Sequence, residues 1–261
     1  MHILRELTSA KMAIRTVGIT GANGTIGSVL RSGLADNYEI RSFTLEPADF
    51  PCTVADLAHD NEVRGLFNGL DAVIHLAADP SPSAPWESVR ENNIEATFQV
   101  FEECRRVEVQ RLVLATTNHT QHGNSLLTTP ETLDPSYGER MAVTDPPNPD
   151  SLYAISKLFG EHLGKLYSEQ HRLSFVGLRI GWNVAEDDPT TKADTKAEAY
   201  MRAMFLSHRD CIQAFTRALE VEARFLLAYA ISDNERRVFD LQATREQLGF
   251  WPRDNAETYF S

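Results

Sequence analysis

Cysteine is scarce in this sequence: Cys52, Cys104 and Cys211 are the only three among 261 residues. They lie far apart, and none belongs to a CxxC pair or lies near histidines at the spacing of metal ligands. We therefore predict no zinc site and no other bound metal ion. Isolated cysteines are typical of reduced proteins, so we expect free thiols and a cytoplasmic location.

The sequence also has few lysines and no long apolar runs. Only 5 of the 25 basic residues are lysines, and 37 acidic residues give the chain a net charge of −12. Nucleic acids and anionic membranes are bound through basic surfaces, so we expect neither as a partner. No apolar run reaches the length of about 18 residues that a membrane-spanning helix needs. Residues 1–12 are too charged for a signal peptide and are expected to form an extension before the first strand.

What the sequence does contain is a regular alternation of strand and helix patterns. Strands are predicted at residues 15–20, 39–45, 72–76, 111–115 and 175–180, and helices at 26–34, 61–67, 86–106, 152–171 and 207–230. Residues 120–151 contain five prolines and are expected to form a long loop, whereas 186–200 form a loop or short helix. This alternation predicts an α/β fold with a doubly wound parallel sheet, covered by helices on both faces.

A glycine-rich segment, TGANGTIG at residues 20–27, lies between the first predicted strand and the first helix. In a dinucleotide-binding turn, Gly21 would permit the tight turn, Gly24 would let the backbone approach a pyrophosphate, and Gly27 would let the helix pack on the strand. The start of the helix would offer unpaired N–H groups to the phosphates. The alternative is an ordinary tight turn between a strand and a helix.

Tyr153 and Lys157 lie four residues apart in LYAISK and therefore share one face of a helix. A lysine ammonium beside a tyrosine favours the phenolate, which would lower the pKa of Tyr153 and make it a usable base near neutrality. Thr116 and Thr117 follow the apolar strand RLVLA, at the edge of the sheet where ligands are bound. The alternatives are a solvated helix face and threonines that satisfy backbone groups.

Taken together, TGANGTIG, HLAAD, ENNIEAT, LATTNHT and LYAISKLFGE resemble the extended short-chain dehydrogenase/reductases, the NAD-dependent epimerase/dehydratase group. Within that group TTNHT, RIGW, FLSHRDC and DNAETYF resemble the uronate dehydrogenases. The segments HLAADPSPSAPWESVRENNI and YAISDNERR resemble the archaeal NAD-dependent glucose-6-phosphate dehydrogenases. The resemblance covers residues 15–260. It implies a Rossmann-type core that binds NAD at residues 13–180, and a small substrate-binding part with the C-terminal elements at 181–261.

The resemblance also implies roles for individual residues. Thr117 matches the family's catalytic Ser/Thr, Tyr153 its base and Lys157 the partner of that base. Asn93 would brace the active-site strand, although an asparagine on the helix surface fits the sequence equally well. The expected substrate contacts are Asn118, His119, Trp182, Tyr200 and Arg202. The expected cofactor contacts are Gly21, Asn23, Gly24, Thr25, Ile26, Gly27, Thr44, Asp56, Leu57, Leu76, Ala77, Ala78, Asn93, Ala115, Thr116, Tyr153, Lys157 and Ile180.

The sequence departs from the family's pattern at three of these positions. Thr44 stands where an acidic residue usually binds the ribose hydroxyls, with Glu46 two residues later. Tyr200 replaces the arginine that binds uronate, although Arg202 is close, and Trp182 replaces a small hydroxyl residue. We predict NAD over NADP, with weaker discrimination than in relatives that carry the acid, and with Arg31 and Arg41 as candidate partners of a 2′-phosphate.

The implied activity is oxidation of a cyclic sugar or sugar acid, with hydride transfer from the anomeric carbon and a lactone product. One alternative is a nucleotide-sugar epimerase or dehydratase, a class that usually has a larger C-terminal domain. The other is a non-catalytic NAD(P)-binding sensor, which would typically lack the tyrosine or the lysine. Lys192 and Lys196 are expected to be solvated or to contact an anionic substrate. Because family members pair the helix that carries Tyr153 across a two-fold axis, we predict a homodimer or larger homo-oligomer.

Overall fold

The computed structural model describes residues 13–121 and 139–260. Seven parallel strands form one sheet in the order β3-β2-β1-β4-β5-β6-β7. They are β1 Thr16–Thr20, β2 Glu39–Thr44, β3 Thr53–Val54, β4 Ala72–His75, β5 Arg111–Thr117, β6 Ser174–Ile180 and β7 Phe225–Ala230. The α-helices are α1 Thr25–Leu34, α2 Asp60–Val63, α3 Trp86–Val89, α4 Ala96–Arg106, α5 Leu152–Gln170, α6 Glu198–Met204 and α7 His208–Glu220.

The strands are short and apolar because both faces of the sheet are covered. Val17 and Ile74 are fully buried in a cluster that includes Leu30 of α1 and Phe215 of α7. On the opposite face a second cluster includes Phe101 of α4 and Tyr167 of α5. Strands that are buried on both faces read as continuous apolar runs, which is why they were visible in the sequence. The predicted doubly wound α/β fold is confirmed.

The predicted helix at 207–230 is wrong in its second half. Helix α7 ends at Glu220, and Phe225–Ala230 forms β7, which pairs in parallel with β6. Alternate residues of FLLAYA face the two clusters, since Leu226, Ala228 and Ala230 belong to one and Phe225 and Leu227 pack on the other. Leucine and alanine suit helices as well as strands, so the local pattern could not decide. The sheet thus takes a strand from beyond residue 180.

Smaller differences concern the edges and the connections. The helix predicted at 61–67 is only the short α2, and the helix predicted at 86–106 contains a π-helical turn at Arg90–Glu95 between α3 and α4. Strand β3 was not predicted. Of the loop at 120–151, residues 122–138 lie outside the described part, as do residues 1–12 of the expected extension. Within the described residues, no helix combines the length and apolar character needed to cross a membrane.

Candidate active site

The glycine-rich turn has the geometry that its sequence predicts. Gly21 adopts a φ of +66°, and a Cβ there would lie 2.8 Å from the Ala77 nitrogen. A Cβ on Gly27 would come within 2.5 Å of the Gly21 oxygen, so this glycine lets α1 pack against the turn. At Gly24 an added Cβ would meet only the Gly21 oxygen, at 3.4 Å, so the backbone here is open to a close ligand.

A cleft of about 310 Å³ adjoins this turn at the carboxyl ends of β1, β2 and β4. Seven of the expected cofactor contacts line it, namely Gly21, Asn23, Thr44, Asp56, Leu57, Ala77 and Ala78. Asp79, Ser88 and Asn92 also line it, and the sequence reasoning missed them, although Asp79 ends the HLAAD motif. The Ser88 hydroxyl donates to Asp79 Oδ2 at 2.6 Å, and Asn92 Nδ2 donates to the Ser88 hydroxyl at 3.1 Å. One wall of the cleft is therefore polar.

The other expected cofactor contacts lie outside this cleft, along the same edge of the sheet. Thr25 and Ile26 open α1, and Leu76 directly follows β4. Ala115 and Thr116 lie near the end of β5, where Thr117 pairs with Ile180 of β6. Tyr153 and Lys157 stand on α5, and Asn93 lies in the π-helical turn. In a parallel sheet these strand ends meet at one edge, so the glycine turn and the candidate catalytic residues share it.

Asn93 is buried, so the alternative prediction of an asparagine on the helix surface is wrong. Its Nδ2 donates to the backbone carbonyl oxygen of Asp79 at 3.1 Å and to the Ser156 hydroxyl at 3.0 Å. Its Oδ1 accepts from the Asp79 nitrogen at 2.8 Å. The residue therefore ties the loop after β4 to α5, rather than bracing a strand as expected. The π-helical turn that carries it is a feature that often marks functional positions.

Tyr153 and Lys157 lie in the first two turns of α5, and both are buried. Ser151 caps the helix at its start, because its hydroxyl accepts from the Ala154 nitrogen at 3.1 Å. The Tyr153 hydroxyl is hydrogen-bonded to the Thr117 side chain. Lys157 Nζ lies 5.7 Å from the centroid of the Tyr153 ring. The structure thus brings the three predicted catalytic side chains together.

The electrostatics of this pair differ from the expectation. Burial raises the pKa of Tyr153, the charge of Asp150 raises it further, and the hydrogen bond from Thr117 opposes them. Burial also lowers the pKa of Lys157 to about 8. In this site the removal of water is the largest influence on both pKa values, because desolvation disfavours each charged form.

His75 is a buried residue of this region that the sequence reasoning did not single out, although it opens HLAAD. Its Nδ1 lies 2.7 Å from the Thr20 hydroxyl, and its Nε2 lies 3.2 Å from the Thr97 hydroxyl. Burial, together with the charge of Lys157, lowers the pKa of His75 to about 3. The imidazole is therefore neutral at physiological pH and joins β4 to β1 and α4.

Four of the five expected substrate contacts form a group next to Tyr153. Asn118 Nδ2 donates to the Tyr200 hydroxyl at 2.8 Å. The Tyr200 ring lies 5.5 Å from the Trp182 ring and 6.3 Å from His119, between ring centroids. The His119 ring lies 6.0 Å from Tyr153. This group, Asn118, His119, Trp182 and Tyr200, is called the aromatic wall below.

The aromatic wall has an acidic neighbour that the sequence did not reveal. Asp150 Oδ2 lies 2.8 Å from His119 Nδ1, and the charge of Asp150 contributes to raising the pKa of Tyr200 as well as that of Tyr153. The only signal was its position directly before the helix cap. A carboxylate therefore stands beside the expected substrate contacts.

The fifth expected contact, Arg202, does not join the wall through its charged group. Its guanidinium donates to Glu198 at 2.9 Å and to Glu257 at 2.8 Å, and it stacks on Phe260 at 3.8 Å. Two carboxylates therefore balance this cation. Glu257 and Phe260 lie far along the chain, so sequence spacing could not reveal the pairing.

No group of three or more His, Cys, Asp or Glu that could hold a metal ion occurs in the part of the chain described here. The three thiols are free, with Cys104 and Cys211 buried and Cys52 half-buried.

Comparisons with known proteins agree with this arrangement. The model of the NAD dependent epimerase/dehydratase family matches residues 17–222. Two similar proteins come from Haloferax volcanii: an L-arabinose 1-dehydrogenase (NAD(P)(+)), 38% identical over 93% of this chain and 98% of the relative, and an NAD-dependent glucose-6-phosphate dehydrogenase, 34% identical over 92% and 94%. A mutant uronate dehydrogenase from Agrobacterium tumefaciens, solved with NAD, superposes with a TM-score of 0.78 at 26% identity, covering 95% of this chain and 88% of that one. The chain belongs to the NAD dependent epimerase/dehydratase family.

Proposed function

We propose that this chain is an NAD(P)-dependent dehydrogenase that oxidises a cyclic aldose at its anomeric carbon to the lactone. The observation that carries the proposal is the contact of the Tyr153 hydroxyl with Thr117, beside Lys157. This group lies at the same sheet edge as the glycine turn, so a dinucleotide that rests on the turn can extend toward it.

The residues fit a nicotinamide dinucleotide. The cleft could accommodate the adenosine half of the dinucleotide, and Gly24 leaves the turn open where a pyrophosphate would approach. The N–H groups at the start of α1 would bind the phosphates. When bound, the oxidised nicotinamide ring supplies the hydride acceptor and a positive charge that favours the phenolate of Tyr153.

The chain's own groups supply the proton chemistry. Tyr153 takes the proton of the anomeric hydroxyl while the hydrogen on the same carbon leaves as hydride, so the hemiacetal becomes a lactone. Thr117 orients the sugar oxygen through the same hydroxyl group that contacts Tyr153. Lys157 would hold the ribose next to the nicotinamide. The step would balance because the phenolate receives the proton of the hydroxyl and the oxidised cofactor would receive the hydride, which carries one hydrogen and two electrons.

We further propose that the sugar is uncharged. In the aromatic wall a phenol stands where the uronate enzymes have an arginine, and Arg202 is balanced by two carboxylates. Asp150 adds negative charge beside His119. An anionic group on the substrate would therefore meet the Asp150 carboxylate and an arginine that is already paired, whereas aromatic rings suit the apolar faces of a neutral sugar.

A sugar phosphate is the second candidate, and one observation favours it. Lys192 Nζ lies 5.5 Å from the centroid of the Trp182 ring, at the aromatic wall. Among the residues that the structure describes, no carboxylate forms an ion pair with Lys192. Its ammonium could bind a phosphate held over the indole.

Initial rates with neutral aldoses, uronates and aldose 6-phosphates separate these candidates. We expect the highest kcat/KM for a neutral aldose and no effect of Lys192→Ala on that rate. A preference for the phosphate that Lys192→Ala abolishes would favour the second candidate. The exposed Lys196, mutated to alanine, is the matched control. A nucleotide-sugar epimerase would release no reduced cofactor from any of these sugars.

Exposed apolar side chains bear on the oligomeric state. Helices α3, α4 and α5 leave large apolar side chains exposed, namely Trp86, Phe98, Leu152, Ile155 and Leu166. Leu152, Ile155 and Leu166 share one face of α5 at helical spacing. We propose that a second copy of the chain covers this surface, which we call the α4–α5 face, and that the dimer works in the cytoplasm.

A further inference from the structure

Asp150 lies at the start of the helix that carries Tyr153, directly before the cap residue Ser151. Its Oδ1 accepts from the Ser151 hydroxyl at 2.9 Å, and its Oδ2 lies 2.8 Å from Nδ1 of His119. The Asp150 side chain is only 12% exposed and that of His119 only 21%. Both carboxylate oxygens are therefore held in place, and one of them is held against a residue of the aromatic wall.

The backbone of His119 is fixed as well. The residue lies in a short 3-10 turn, Asn118–Thr120, and its N–H donates to the Thr117 hydroxyl at 3.2 Å. The Thr120 oxygen accepts from the Asn148 nitrogen at 2.8 Å, which joins this turn to the segment before α5. The His119 ring, which lies near the two phenol rings of the site, is therefore held both through its backbone and through its side chain.

The contact with Asp150 decides which nitrogen of His119 carries the proton. An ionised carboxylate can only accept a hydrogen bond, so the proton of this contact lies on Nδ1. A neutral imidazole has a single N–H, and its Nε2 is then a hydrogen-bond acceptor. Such an acceptor suits a hydroxyl group, which can donate to it, and does not suit an ionised carboxylate, which cannot.

We propose that Asp150 is a positioning residue, which holds the neutral imidazole of His119 with its proton on Nδ1 so that Nε2 accepts a hydrogen bond from a hydroxyl of the sugar. The inference rests on the proposed function, because it takes the aromatic wall as the sugar site. It adds the kind of group that the site recognises at His119, which is a hydroxyl rather than an anion. Because Asp150 acts through His119, loss of both side chains should cost no more than loss of His119 alone.

The tautomer of His119 can be observed by two-dimensional 15N NMR of the full-length protein labelled at its histidines, without sugar or cofactor. The signals of His119 are those that are absent from His119→Gln. We expect the proton on Nδ1 in the wild type and in Asp150→Asn, whose amide oxygen also accepts from Nδ1–H. In Asp150→Ala we expect the proton to move to Nε2 in part or completely, because the acceptor that selects Nδ1–H is gone.

Initial rates with a neutral aldose supply the second measurement. We expect Asp150→Ala to raise the KM for the sugar by roughly 10-fold with little change in kcat, because the lost hydrogen bond is made in the bound sugar before hydride transfer. His119→Ala should lose as much, and the double variant no more than His119→Ala alone. Asp150→Asn should stay within about 3-fold of the wild type. Glu169→Gln, which changes an exposed carboxylate at the other end of α5, is the matched control and should change nothing.

A wild-type His119 that carries its proton on Nε2, or on both nitrogens at the pH of the rate measurements, would overturn the inference, as would the same tautomer in the wild type and Asp150→Ala. Additive losses in the double variant would also overturn it, since Asp150 would then act apart from His119. A purely structural role of Asp150 would weaken cofactor and sugar together and leave the tautomer unchanged. If the wild type reduces neither NAD+ nor NADP+ with any neutral aldose, the proposed function itself fails, whereas the tautomer is still measured independently.

Discussion

The phenol of Tyr153 is the group on which the proposed chemistry depends. It is buried, it contacts Thr117, and it lies beside His119 of the aromatic wall. Its raised pKa means that the ligand-free site holds the neutral phenol, so we expect a positively charged cofactor to favour loss of its proton.

We expect Tyr153→Phe to abolish turnover while retaining cofactor binding. The variant keeps the ring and its packing but loses the proton acceptor, which should lower kcat by about 10²-fold or more. Cofactor Kd and sugar kinetics are the measurements. Tyr38→Phe, a partly buried phenol packed against the cluster around α1, is the control and should keep both. Near-normal turnover of Tyr153→Phe would remove Tyr153 from the mechanism.

Lys157 gives a prediction for the pH dependence of stability. Its pKa is about 8 in the folded protein, against the ordinary lysine value of 10.5 in the unfolded chain, so between these pH values the unfolded chain holds a proton that the folded chain has lost. The free energy of unfolding should therefore rise with pH across this window. Lys157→Met should lack that rise and be more stable below pH 8, by about 3 kcal/mol. Denaturant unfolding of both proteins at several pH values measures these free energies. Curves of unfolding free energy against pH that run parallel for the two proteins would contradict the prediction.

Among the elements, α7 depends on a buried arginine at its C-terminal end. Arg111 of β5 is fully buried and donates to the oxygens of Ala218, Val221 and Ala223 at 2.6, 2.8 and 3.2 Å. Burial lowers the pKa of Arg111 to about 10, so the guanidinium stays charged at neutral pH. Cations at the end of a helix stabilise its exposed carbonyls and its dipole.

We expect Arg111→Met to lower the free energy of unfolding by roughly 3 kcal/mol, because it removes the hydrogen bonds to the buried Ala218 oxygen and to the half-buried oxygens of Val221 and Ala223. Arg217→Met is the matched control on α7 itself. Arg217 is half exposed and pairs with Glu220, so its loss should cost less than about 1 kcal/mol. Equal effects of the two substitutions in denaturant unfolding would show that the buried contacts do not stabilise α7.

The elements also show what the sequence could and could not reveal. Strands β1, β2, β4, β5 and β6 and helices α1, α4 and α5 were predictable, because buried parallel strands and amphipathic helices have distinct apolar patterns. Strand β7 was not, since FLLAYA suits either state and only its pairing with β6 decides. TGANGTIG and the Tyr153–Lys157 pair were visible as local motifs. The raised pKa of Tyr153 and the pairing of Arg202 with Glu257 depend on burial and on distant contacts, which no local pattern contains.

At the scale of the whole molecule, the α4–α5 face predicts association of two copies. Ile155 is 51% exposed and Leu166 is 43% exposed on the same helix that carries Tyr153. We expect Ile155→Glu to convert the protein to a monomer in light scattering, because a charge would be buried at the centre of the contact. Trp251→Glu is the control, since Trp251 is 60% exposed but lies outside this face. A monomeric wild type would contradict the prediction.

In the proposed reaction the anomeric hydrogen leaves as hydride, and a deuterium label at that carbon follows it directly. A neutral aldose with deuterium at the anomeric carbon is incubated with the enzyme and oxidised cofactor, and both products are examined by mass spectrometry. We expect deuterium in the reduced nicotinamide and an unlabelled lactone, with neither product formed by Tyr153→Phe. Reduced cofactor without deuterium, or a label retained in the sugar product, would contradict the account.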